Sequence, residues 1–390
     1  MDQPLDARAR RAAPAGPEQA STRLVFFVAG FATAAWAPLA PFAKMRAGVD
    51  EGVLGLLLLC LGLGSIVAMP LAGAMCQRWG CRAVIAGAAT LGCLALPCLA
   101  YASNLAALAG LLFAFGAGVG SMDVSMNIQA IMVERASRRA MMSGFHGLFS
   151  LGGIAGAGGV TALLGGGAGP LAAATAISAC SLAIVAVAFR HLLPYGGEGG
   201  GPAFAWPRGV VLALGGLCFM IFLTEGAMLD WSAIALSAVH GVEPALAGLG
   251  YVAFAIAMTL GRLTGDRIVQ AFGGPAVIAV GGVCAAMGLA LGALAPTWGG
   301  ALLGYALVGA GCSNIVPVLF TSAGRQTAMP ESVAVPAITT LGYAGILAGP
   351  AAIGLVAHWA SLQASFLILA ALLLGVAASA LALRVGASPR

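Results

Sequence analysis

The feature that most constrains this chain is a succession of apolar runs, each long enough to cross a bilayer and each ended by a short polar break. A hydrocarbon core of about 30 Å takes roughly 20 apolar residues as a helix. Runs of that order occupy 24–43, 53–75, 83–101, 105–132, 144–164 and 171–189, and then 210–236, 246–263, 276–294, 301–322, 337–359 and 366–383. In oil every backbone N–H and C=O must be bonded within the chain, so each run is predicted as a helix. The expected fold class is all-α and integral to the membrane, with twelve transmembrane helices. Composition agrees, since only 8% of the 390 residues are charged against about 25% in soluble domains.

The placement of the few charges gives an orientation. Residues 1–23 carry acids as well as arginines and lack a small-residue cleavage site behind a short apolar core, so they read as a cytoplasmic tail and not as a signal peptide. With that end inside, all Lys and Arg except Lys44 and Arg46 fall in cytoplasmic segments, as the positive-inside rule requires. An even number of spans brings the C-terminus back to the same side, so the expected location is the inner (plasma) membrane with both termini cytoplasmic. The net charge of +5 is explained by this asymmetry and gives no indication of a nucleic-acid partner. The nine cysteines lie mostly within apolar runs, which suits packing and makes no disulfide framework.

The longest break between runs, "RHLLPYGGEGGGPAFAWPRG" at 190–209, is rich in Gly and Pro and too polar to span. It divides the chain into a six-helix bundle at 24–189 and a second at 210–384, with 385–390 as a final tail. A repeat supports the division: "GVGSMD" at 118–123 in the fourth run matches "GAGCSN" at 309–314 in the tenth, in both glycines and the terminal Asx. A second echo sits at the turns after runs two and eight, "AGAMCQRWGCR" at 72–82 and "GRLTGDRIVQAFGG" at 261–274.

Two six-helix halves with such turns resemble the major facilitator superfamily, whose signature there is approximately Gly-x-x-x-Asp-Arg-x-Gly-Arg-Arg. Gly73, Arg78, Gly80 and Arg82 fit it, Gln77 stands where the acid is expected, and the second half keeps Asp266 and Arg267. The resemblance implies a cytoplasmic gate at Arg78, Arg82, Asp266 and Arg267. "GSMDVSMNIQAIMVER" (120–135), "MMSGFHGLFSLGGIAGAG" (141–158), "EGAMLDW" (225–231) and "GYAGILAGPAAIG" (342–354) narrow the likeness to YbjJ-type inner-membrane transporters, distant relatives of the fucose and proton symporters. Such relatives often have an Arg three residues after the Trp of the first helix, where this chain has Leu39.

The acids inside the runs are the candidates for chemistry. Asp123 lies about 13 Å from the inner end of its run, near the midplane, while Glu225 and Asp230 lie about 22 and 30 Å from the cytoplasmic end of theirs. Asp230, beside Trp231, falls at the outer interface. Gly116, Gly120, Asp123 and Asn127 share one helical stripe on which small residues permit close approach. An ionised carboxylate at such depth costs about 2.5–3.5 kcal/mol, so it must face a cavity, find a partner or take a proton. The runs contain three acids and, away from their ends, no Lys or Arg. That points to Asp123, Glu225 and Asp230 as proton-coupling groups, with a cationic solute as the other occupant of the same carboxylates.

Trp36, Asn127, His146, Asn314 and Tyr343 are the candidates for solute contact, and each also suits packing or an interhelical hydrogen bond. No nucleotide loop, zinc-spaced Cys/His cluster or Gly-x-Ser-x-Gly elbow is present, so neither an enzyme, a metal nor a cofactor is expected. The expected activity is secondary transport of a small organic solute by alternating access, monomeric and coupled to protons. Symport of a polar or sugar-like solute and proton-driven efflux of a lipophilic or cationic compound both remain open. A membrane scaffold or sensor would need larger soluble segments than the short loops provide.

Overall fold

The computed structural model describes residues 16–48, 51–196, 206–242 and 249–385. In chain order these form α1 (Gly16–Ala34), a 3-10 turn (Ala37–Leu39), α2 (Ala40–Ala47), α3 (Glu51–Tyr101), α4 (Leu105–Ser137), α5 (Met142–Gly165), α6 (Pro170–Phe189), α7 (Val210–Ala238), α8 (Leu249–Phe272), α9 (Gly274–Leu294), α10 (Trp298–Cys312), α11 (Ile315–Ala323), α12 (Glu331–Trp359) and α13 (Leu362–Val385). Among the described residues, ten stretches are long and apolar enough to cross a membrane. α3 is a single one of these and holds two of the apolar runs; α8, which carries Arg262, Asp266 and Arg267, is not among the ten.

The two arms of α3 part at Gly80, whose φ of 80° and ψ of 158° leave the helical region. Only a residue without a Cβ takes this conformation readily. The interrupted ladder is completed by the start of the interbundle segment: Cys81 N–H donates to Tyr195 O at 3.2 Å and Arg82 N–H to Leu193 O at 2.9 Å. Leu61 and Ser65 of the first arm, and Ala88 and Gly92 of the second, all lie against Gly116–Gly120 of α4. The chain therefore folds back at Gly80, and α4 is wedged between the arms.

The sequence repeat performs the same task in the second half. Gly309 packs on the backbone of Phe254 in α8 and Gly311 on that of Gly281 in α9, so the tenth run too is wedged between the second and third helices of its bundle. α1 begins at Gly16, with Ser21 and Thr22 buried, well inside the segment expected as a tail; residues 1–15 lie outside the described residues. Residues 197–205 of the linker and 386–390 do so as well.

The halves meet along α3 against α12 and α5 against α8. Trp79 and Trp206 are exposed near the end of the molecule that carries the linker, and Tyr101, Trp298 and Trp359 near the opposite, far end. Such rings suit the two membrane interfaces.

Candidate functional site: a polar chain across the two halves

Below its packed glycines, α4 turns Asp123 and Asn127 toward the second bundle. Asn127 Nδ2 donates to the backbone O of Asp123 at 2.8 Å and to its Oδ1 at 3.2 Å. Since the amide nitrogen is spent on Asp123, Asn127 Oδ1 is an acceptor, and His146 Nε2, 3.2 Å away, is the protonated ring nitrogen that donates to it. The imidazole is 8% exposed, edge-on to Phe26 and stacked at 5.8 Å on Phe320 of the second half. Asp123 is half-buried, forms no ion pair among the described residues and lies within electrostatic reach of Cys218 and Tyr343 of the second half. It faces the other bundle and not lipid. Tyr343 is half-buried and edge-on to Phe222 at 6.1 Å.

One turn past His146, Ser150 Oγ donates to His146 O at 3.2 Å and accepts from Arg262 Nη1 at 3.0 Å. This guanidinium overturns the expectation that the helices hold no cation away from their ends. The apolar run 246–263 would put Arg262 at a helix terminus, but α8 continues to Phe272, so Arg262 sits in the helix interior and only 7% exposed. Its Nη2 pairs with Glu225 Oε1 at 3.1 Å and its Nε donates to Ser313 O at 3.3 Å. Glu225 is therefore compensated, contrary to the expectation from sequence, while its side chain stays 19% exposed.

Asn314 Nδ2 donates to Gly261 O and to Ser313 Oγ, both at 3.0 Å, at the break between α10 and α11. It thus supports the Arg262 side of the chain. Trp36 is packed in the apolar core of the first bundle with Phe31, Leu96 and Leu108, and Asp230 is exposed toward the far end; neither joins the chain. Among the described residues no group of three or more His, Cys, Asp or Glu is gathered as for a metal.

Toward the linker end the halves are tied by a second set of contacts. Glu134, 7% exposed, accepts Met141 N–H at 2.9 Å and Met142 N–H at 3.2 Å with Oε1, closing the N-terminus of α5, and Thr321 Oγ1 of the second half at 2.6 Å with Oε2. Arg135 pairs with Glu331 at 2.6 Å and also donates to Gly324 O, and Gln77 Nε2 donates to Ser332 Oγ. Asp266 lies against Gly144 at the N-terminus of α5, where a carboxylate is favoured by the helix dipole. Arg82 turns inward to the interbundle segment, donating to Leu192 O at 2.8 Å and Arg190 O at 3.0 Å, whereas Arg78 stacks on Trp79 and Arg267 is exposed.

Sequence reasoning missed Ser150, Arg262, Ser313, Glu134, Arg135, Glu331 and Thr321. For Arg262 a signal existed: Ile268, Val269, Ala271 and Phe272 beyond it are apolar, so the helix could have been extended before the charge was assigned to a turn.

No protein-family model matches the chain. It is 54% identical, over 94% of its length and 96% of the relative's, to an uncharacterized MFS-type transporter of Yersinia pestis. It is 33% identical to the membrane protein MosC of Rhizobium meliloti, over 89% of its length and 85% of the relative's. Its fold matches that of an MFS transporter, FucP, in the outward conformation, with a TM-score of 0.75 and 18% identity over 95% of this chain and 99% of that one. The proton:xylose symporter XylE gives a TM-score of 0.73 at 14% identity over 93% of this chain and 94% of that one. The chain belongs to the major facilitator superfamily, a family of multi-pass membrane transporters.

Proposed function

We propose that this protein is a twelve-span, proton-coupled secondary transporter of a small polar organic solute, acting as a monomer in the bacterial inner membrane with both termini cytoplasmic. Twelve crossings result when the arms of α3 count separately and α8 counts as a span. The orientation rests on the bias of Lys and Arg toward the linker end. The linker-end contacts then form the cytoplasmic gate, closed here, and the solute enters between the halves from the far side.

The observation that carries this reading is Asp123. It is half-buried, faces the second bundle, and has Asn127 of its own helix as its hydrogen-bond partner. A carboxylate so placed without a cation is accommodated by taking a proton when the site is closed to water. On this reading Asn127, His146, Glu225 and Tyr343 supply donors, acceptors and a ring suited to a hydroxyl-bearing solute. Fucose and xylose symporters among the fold neighbours are consistent with that class.

Efflux of a cationic compound is favoured by the same uncompensated carboxylate, which would bind the cation in place of a proton. Proteoliposomes with an imposed pH gradient, screened over monosaccharides, polyols, amines and lipophilic cations, separate the two. Sugar or polyol accumulated with the proton gradient, and lost in Asp123→Asn while solute exchange persists, supports symport. Cation movement against that gradient supports efflux, and flux indifferent to both gradient and substitution overturns proton coupling.

A further inference from the structure

We propose that Arg262 is a positioning residue that bridges Glu225 of the second bundle to Ser150 of the first, holding Glu225 for solute and latching the halves at the depth of the site. The assignment rests on the transport reading above only for the word solute; the latch stands on contacts. A guanidinium presents five N–H donors in a rigid fork, so three partners in different directions fix its plane. Here Nη2 takes Glu225, Nη1 takes Ser150 and Nε takes Ser313 O. Two of the three belong to its own half. The third, Ser150, belongs to α5 of the other half, and its hydroxyl is in turn directed by His146 O.

Arg262 is 8% exposed at the side chain and Glu225 19%, so the carboxylate stands on the open side of the pair with the cation behind it. Glu225 is thereby oriented by Arg262 and its charge is balanced within the second half, which leaves Asp123 as the acid with no ion pair among the described residues. When α5 and α8 separate at the linker end, the Ser150 contact must break while the pair with Glu225, internal to the second half, can persist. The latch therefore belongs to the closed linker end, alongside the contacts of Glu134 and Arg135 but deeper.

Hydrogen–deuterium exchange on the full chain in nanodiscs, without solute or pH gradient, tests this independently of transport. Ser150→Ala removes the interhalf contact and leaves the pair intact. The expected result is several-fold faster exchange at the linker end, in 142–150 and 331–340, with a matching slowing at the far end, in 40–47 and 232–242, and reversal of both in Ser150→Thr. Opposite changes at the two ends report rocking of one half against the other. Unchanged exchange, or faster exchange at both ends, overturns the latch, and transport coupled to protons would survive that result.

Discussion

At Asp123 the hydrogen-bond partner is an amide of its own helix, whereas Glu225 has a guanidinium at 3.1 Å. The two acids thus meet different demands: Glu225 is balanced by Arg262, whereas Asp123 has no ion pair among the described residues. Breaking a buried pair by deleting one partner costs about 3–5 kcal/mol, because an uncompensated charge remains, while replacing both costs much less. Arg262→Ala is therefore expected to lower the melting temperature in detergent sharply, and the double change Glu225→Gln, Arg262→Gln to recover most of the loss. Equal melting of single and double variants would argue against the pair as drawn. The placement of Asp123 and Glu225 within helices was legible in the sequence. The cation was not, because hydropathy ends a helix where charges begin, and α8 runs on past Arg262 to Phe272.

Among elements, α4 shows how packing positions chemistry. A Cβ on Gly120 would lie 2.7 Å from the Cα of Ser65, too close for the two helices to keep their separation. Gly120→Val is expected to destabilise the first bundle by about 1–3 kcal/mol, as overpacked cores do, and to displace Asp123 one turn below; thermal melting with the transport assay checks it. The repeat was readable because small residues recur where helices touch: Gly118 and Gly309 both pack against the backbone of neighbouring helices. The interhalf contacts at the linker end were only partly so. Gln77, in place of the signature acid, still reaches Ser332, but the interhalf contacts at this end also include Arg135 with Glu331 and Glu134 with Thr321. Those residues sit at helix ends whose partners are distant in the chain. Thr321→Val removes one interhalf hydrogen bond, worth about 0.6 kcal/mol on average in a membrane, so a modest gain in linker-end thiol labelling of a cysteine placed at Ser322 is expected. No gain would mean that Thr321 does not restrain the gate.

For the molecule as a whole, the two bundles are tied by side-chain contacts at the linker end and at mid-depth, which on the proposed reading closes that side. Alternating access requires the linker-end ties to break as others form. In the proposed proton-coupled reading, proton release then depends on which side Asp123 meets. Infrared difference spectra of the protein in lipid, titrated from acid to base, test this most directly. A carboxylic-acid carbonyl band that disappears with base, is missing in Asp123→Asn and is retained in Glu225→Gln is the predicted result. A titrating band unaffected by Asp123→Asn, or lost only in Glu225→Gln, would contradict the assignment of the proton to Asp123.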